Sequence, residues 1–408
     1  MATSRWAVIL CKFADDKGTT LPIDHYQRLF TSAGAGSFNM VDFFLDMSHG
    51  QIDIGASKVF GWFTLPLNKA DKGDRNGLVA ACRQAATSGG VNLGTFDGVL
   101  VSMNGNVDLF GYVGGMQAFC DSDSLSPSPL GQEMGHGYGL DHARRDGSDA
   151  DYKDPWDVMS VYDGTFRQSS AEWGTIGPGL NAWCMRSRGW LDENRVSKSN
   201  NNVTLQLRPL HRHDLPGFLA AEIGGYLVEY RPAHRWDAAF HRSAVFIHRF
   251  EDNHSYVMPA ADGRFDLVAE SFFERGNAID PFNNYIRVEV LAIDDCNLTA
   301  TLSLRHRKAY VPPPVIGQIF GGVAVDGGGW IFIGGHFHPV PPRGPEVVIL
   351  QQLLYYMAVK NVSDISVRSK AQAGALTAIS QAVESRILQL NPLRSPATLT
   401  GGAETQAR

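Results

Sequence analysis

The stretch GQEMGHGYGLDHARRD, residues 131–146, constrains this chain more than any other. Gln132 and His136 are four residues apart, so on a helix they face the same way about one turn from each other, and both side chains can reach one ion. Glu133 then points to the neighbouring side, where it can hold a water without joining the ligands. The Ser/Pro segment SLSPSPL ahead of it suits a helix start, while Gly135, Gly137 and Gly139 weaken the helix toward its end. The spacing predicts a helix over 130–138 that stops near Gly139. A glycine there permits the sharp turn that returns His142 toward the ion as a third ligand.

An E-x-x-H pair alone is common on helices, but the fuller string with Glu133, His136, Gly139 and His142 is far rarer by chance. Met159, in DPWDVMSVYDG, follows at a distance suited to a turn beneath the ion, and in this company it reads as the floor of a site. Asp146, four residues after His142, is placed either to ligate or to brace the site through a hydrogen bond. The acidic run RDGSDADYKD, with Asp146, Asp149, Asp151 and Asp154, is a candidate for Ca2+, although it lacks the regular ligand spacing with a closing glutamate; a solvated acidic loop is the plainer reading.

Together these residues resemble the metzincin zinc endopeptidases, which carry a long helix-turn motif and a methionine turn. They are closer to the gametolysin-like peptidases, in which the first motif position is Gln, giving Q-E-x-x-H-x-x-G-x-x-H as here. A looser similarity to the immune inhibitor A peptidases runs through WAVILCKFAD, FFLDMSHGQIDIGASKVFGWFTLP and AWCMRSRGWL. The resemblance spans roughly residues 6–191. It implies a Zn2+ ion held by Gln132, His136 and His142, Glu133 as general base, and hydrolysis of peptide bonds in a protein or glycoprotein substrate. Some metzincins place an oxyanion-stabilising tyrosine two residues behind the methionine; Tyr162 lies three behind Met159 and is the candidate for that role. An amide oxygen is a weaker zinc ligand than imidazole and leaves the metal more electrophilic. The alternative reading is a catalytically weak or inactive binding protein on the same scaffold, with the β-rich region carrying recognition.

The rest of the chain reads as three further pieces around this motif. WAVILCK and FDGVLVSM are apolar runs suited to strands covered on both faces. FNMVDFFLDMS, with Ser37 as a cap, and DRNGLVAACRQAATS carry helical spacing. Gln51–Leu67 alternates loosely and predicts twisted antiparallel strands at a sheet margin. The expected first domain, residues 1–195, is therefore of α+β or α/β type: a mixed twisted sheet with the site helix and the methionine turn. Residues 196–310 hold short β-rich stretches separated by Gly, Pro, Asp and Asn, the pattern of a β-sandwich-like domain. Behind the stiff VPPPV boundary, residues 311–392 predict glycine-rich hairpins and two helices, and 393–408 a disordered tail. The apolar stripe Leu376, Ile379, Val383, Ile387 and Leu390 suits packing on the first helix and the hairpins, with docking or oligomerisation as the other reading. NVDLFGYVGGM, residues 106–116, reads as an edge strand for an extended substrate.

A formal net charge of -6 with scattered Lys and Arg gives no basic face of the kind nucleic acid requires. No apolar run approaches the roughly 20 residues of a membrane span, and no signal peptide is evident in this numbering, although the resembled families favour an extracellular location. The five cysteines include no C-x-x-C pair, which removes a cysteine zinc site and leaves both disulfides and buried free thiols open.

Overall fold

The computed structural model describes residues 2–161, 165–198, 202–275, 285–307, 329–333 and 336–340. The chain divides into two compact units, one of Met1–Phe273 with Ile286–His306, the other of Glu274–Tyr285 with Arg307–Arg408. The architecture is mixed α/β.

In the first unit, strand β1 (Trp6–Lys12) is followed by helices α1 (Ile23–Phe30) and α2 (Met40–Met47), then β2 (Lys58–Thr64), α3 (Arg75–Ser88), β3 (Gly98–Met103), β4 (Phe110–Tyr112), β5 (Gln117–Asp121) and α4 (Pro127–Gly137). The sheet order is β2-β1-β3-β5-β4. All neighbours run parallel except β4, which pairs antiparallel with β5 at the margin. Strand alternation splits β1 between two cores. Trp6, Val8 and Leu10 face a core shared with α1, α2 and α4, whereas Ala7, Ile9 and Cys11 face α3. A strand covered on both faces must be apolar throughout, which is why WAVILCK carries no alternation.

Two local expectations change. Asn39, not Ser37, caps α2: its side chain accepts from Asp42 N–H at 3.0 Å while Asp42 accepts from Asn39 N–H at 3.3 Å. The Ser37 hydroxyl donates instead to the Gly34 carbonyl at 2.6 Å. Residues 51–67 do end at the sheet margin, but β2 runs parallel to β1. The intervening α1 and α2 bring the chain back across the sheet, so it enters in the same direction; a hairpin would have reversed it.

The β-rich region follows. Strand β6 (Arg144–Arg145) and helix α5 (Ala182–Ser187) precede β7 (Val196–Lys198), β8 (Val203–Leu207), β9 (Ala220–Ile223), β10 (Tyr226–Arg231), β11 (Ala244–Glu251), β12 (His254–Val257), β13 (Ser271–Arg275), β14 (Tyr285–Asp294) and β15 (Thr299–Arg307). They form a six-stranded sheet, β7-β9-β10-β11-β12-β6, and a four-stranded sheet, β8-β15-β14-β13. Val228, Tyr230, Val245 and Ile247 of the first meet Leu205, Leu207, Val288 and Leu302 of the second in one core, a β-sandwich. On the other face of the six-stranded sheet, Ala220 and Leu227 join the core that holds β1 and α4.

Glu229, Arg231 and His248 are also fully buried in this sheet. Arg231 pairs with Asp237 at 2.5 Å, and His248 Nε2 with Asp154 at 2.9 Å. Buried charges persist only when paired in this way. In the second unit, β16 (Gly329–Ile333) and β17 (His336–Val340) form an antiparallel pair within the predicted glycine-rich hairpins. The two predicted helices of 311–392, and the tail, lie outside the described residues. No helix among the described residues is long and apolar enough to cross a membrane.

Candidate metal centre

Helix α4 starts with Pro127 at its first turn, where the missing N–H costs nothing, and ends at Gly137. Gly139 has φ +94°, the left-handed conformation expected of a glycine that stops a helix and turns the chain. The whole of α4 is buried. Room for it comes from small residues on its contacts. A Cβ on Gly135 would meet Met159 Sδ at 2.9 Å, so the glycine lets the methionine sulfur lie against the helix. Gly111 in β4 does the same against the Glu133 carbonyl and the His136 Cβ.

Of the motif residues, the two histidines meet directly. His136 and His142 stand edge to face, ring centroids 4.7 Å apart and planes at 86°. His136 Nδ1 lies 2.8 Å from the Leu140 carbonyl, and since a carbonyl only accepts, Nδ1 carries the proton. His142 Nδ1 lies 3.0 Å from Asp151 Oδ2 and is protonated for the same reason. Each ring therefore offers Nε2 as a free lone pair, the arrangement found in metal-ligating histidines. Burial, and next the neighbouring His142, hold the His136 pKa down at about 4, against the opposing hydrogen bond to Leu140. That keeps the ring neutral and able to ligate at ordinary pH.

Gln132 is oriented by its neighbours. Its Oε1 accepts from Val161 N–H at 2.9 Å, and its Nε2 donates to Glu133 Oε1 at 3.1 Å. The Val161 donor fixes which end of the amide is oxygen, and that oxygen keeps one lone pair for another partner. Glu133 is almost fully buried, which pushes its pKa up to about 7 against the hydrogen bond from Gln132. Among the described residues no three His, Cys, Asp or Glu side chains converge on one point. The donors the motif would bring to an ion are two imidazole nitrogens and one amide oxygen, chemistry that fits a borderline-soft divalent ion more weakly than three imidazoles would.

Met159 sits in a turn held from the sandwich side. Asp157 accepts from Met159 N–H at 2.7 Å and from Asn181 N–H at 2.6 Å, and Glu229 of β10 accepts from Ala182 N–H at 2.6 Å. Asp146 is paired with Arg249 at 3.3 Å, while the carboxylate on His142 belongs to Asp151. Asp154 binds His248, so Asp146, Asp151 and Asp154 point to three separate partners. Tyr162 lies outside the described residues. A tyrosine that the sequence did not single out, Tyr152, packs on His142 with centroids 4.1 Å apart, at φ +61°. All five cysteines are free thiols.

A cleft of about 630 Å3 is lined by Leu109 before β4, Pro129 of α4, Val161, Arg167 and Trp173, and by none of Gln132, Glu133, His136 and His142. Val161, bonded to Gln132, stands between the cleft and that residue.

No protein family matches the sequence, and no curated protein matches it. Among solved structures, two crystal forms of wild-type OgpA from Akkermansia muciniphila are similar to this chain. One is 12% identical, covers 74% of this chain and 92% of that one, and superposes with a TM-score of 0.28. The other is 13% identical, covers 74% and 93%, and gives 0.29. The likeness is remote in both sequence and superposition.

Proposed function

We propose that this protein is a zinc-dependent endopeptidase of metzincin type, with Gln132, His136 and His142 as ligands and Glu133 as general base. One observation carries the reading: two perpendicular imidazoles with Nδ1 committed and Nε2 free, one of them on the same helix as a buried carboxyl whose pKa is about 7. Zinc, when bound, supplies Lewis acidity toward a scissile carbonyl and toward water. Glu133 takes the proton of the attacking water and returns it to the leaving amine, work suited to a group that titrates near neutrality. β4 is the last strand of its sheet among the described residues, and its outer edge offers backbone groups to an extended peptide. The cleft beside Val161 takes a substrate side chain, and Tyr162 donates to the oxyanion. In this reading residues 1–195 form the peptidase part and 196–310 the sandwich. Glu133→Ala should retain zinc and lose casein hydrolysis; turnover that survives the change removes Glu133 from the role of base.

The orientation of Gln132 favours a second reading. Its oxygen already serves Val161 and its amide nitrogen serves Glu133, as in a binding protein with a weak or inactive centre. In that case purified protein holds no stoichiometric zinc, and casein digestion is insensitive to a chelator.

A further inference from the structure

His136 is fixed by the helix that carries it, but His142 lies beyond the end of α4, in a segment with no regular structure of its own. Something else must hold it. Its backbone N–H donates to Asp141 Oδ1 at 2.8 Å, and its carbonyl accepts from Nδ1 of His254, in β12, at 2.8 Å. Its ring is held by Asp151, which also accepts from Arg144 Nε at 2.8 Å. Arg144 in turn donates to the Tyr256 hydroxyl at 3.1 Å. His254 and Tyr256 belong to one strand of the sandwich, and Arg144 and Arg145 pair with Tyr256 and Val257 of that strand as the last strand of its sheet. Both His254 and Tyr256 are buried.

We infer that the β-sandwich is a bracket for the metal centre: His254, Asp151 and, through Arg144, Tyr256 are positioning residues that set the place, ring orientation and tautomer of His142. This rests on the zinc reading above for its consequence, though not for its geometry. A ligand on a loop keeps its entropy unless neighbours remove it, and outer partners of metal-ligating histidines typically change affinity by about 10–100-fold. The β-rich region would then be an integral part of the centre, so that a chain truncated before β12 would lack an ordered third ligand.

The test uses the full chain and two readouts. In metal-free protein labelled with 15N, at a pH where the imidazole is neutral, His142 should show the Nδ1–H tautomer, and Asp151→Ala should abolish that preference. In a zinc competition titration, Asp151→Ala should weaken binding about 10–100-fold, Asp151→Asn less because its oxygen still accepts, and Tyr256→Phe a few-fold. Should Asp151→Ala not fold, Asp151→Asn and Tyr256→Phe carry the comparison. A wild-type His142 in the Nε2–H form, or variants that bind zinc as tightly as wild type, would overturn the bracket. Wild-type protein that binds no zinc but whose His142 tautomer depends on Asp151 supports the bracket and sinks only the zinc reading.

Discussion

Gly111→Ala tests how tightly the edge strand is seated on the site helix. The added Cβ would lie 2.9 Å from His136 Cβ and 3.0 Å from the Glu133 carbonyl carbon, closer still to the Glu133 oxygen. Carbon atoms settle at about 3.5 Å or more, so strand and helix must part by roughly 0.6 Å at the least. Because the obstacles are backbone atoms and a Cβ, no rotamer change relieves them. Overpacking costs about 1–3 kcal/mol, and the absence of an escape puts this site near 3. At about 2 °C per kcal/mol for a unit of this size, the melting temperature followed by circular dichroism should fall by roughly 6 °C. On the proposed peptidase reading, displacement of β4 and Glu133 should also lower casein turnover by about 10–100-fold, since such errors in placement act on geometry and not on affinity alone. Gly94→Ala is the control: its Cβ would meet only Asn92 Oδ1, at 3.4 Å, and its cost should stay within about 0.5 kcal/mol. A Gly111→Ala protein that melts with wild type and turns over casein normally would refute the packing described for β4 against α4.

Three further outcomes follow from buried charges. Although burial pushes the Asp237 carboxyl upward, the Arg231 guanidinium holds it well below the usual carboxylate range, so Asp237→Ala leaves a buried cation with only the looser Glu229 contact at 3.7 Å and should cost about 3 kcal/mol by urea denaturation; a loss under about 1 kcal/mol would contradict the pairing. Burial holds the His49 pKa down at about 4, with its Nε2 donating to the Leu210 carbonyl at 2.8 Å. The native state then binds fewer protons than the unfolded chain between about pH 6.5 and 4, so this stability is present above 6.5 and is lost, up to about 3 kcal/mol, as pH falls through that window. His49→Gln should flatten the slope there, and an unchanged slope would show that His49 is not its source. In metal-free protein, the raised Glu133 pKa has the opposite sign: stability declines from about pH 4.5 to 7, and Glu133→Gln should remove that decline.

Much of the centre was legible because its chemistry repeats at helical spacing. Glu133, His136, Gly139 and His142 were read from the motif; the structure sets the His136 and His142 rings against each other and lays Met159 against Gly135 of the same helix. The apolar runs WAVILCK and FDGVLVSM were readable because strands covered on both faces are built almost wholly of apolar residues, buried Ser102 being the exception in the second. Helix α1 was not read, since IDHYQRLF shows only Tyr26, Leu29 and Phe30 to the core, too short a stripe to distinguish from a loop. The direction of β2 was equally hidden, because alternation in a strand says which face is buried and not which way it runs. Asp151 eluded the spacing argument that pointed to Asp146. Its role depends on Arg144 and the Tyr256 hydroxyl, and the latter comes from a strand more than a hundred residues away. The orientation of Gln132 depends in the same way on Val161 N–H, a backbone group invisible to any motif.

The central claim is a zinc ion at His136 and His142. Metal analysis of purified full-length protein after dialysis against trace zinc tests it most directly, with His136→Ala and His142→Ala run alongside. Wild type should hold one zinc per chain, lost in both variants. Protein that retains no zinc, or retains it equally when either histidine is removed, would contradict the claim.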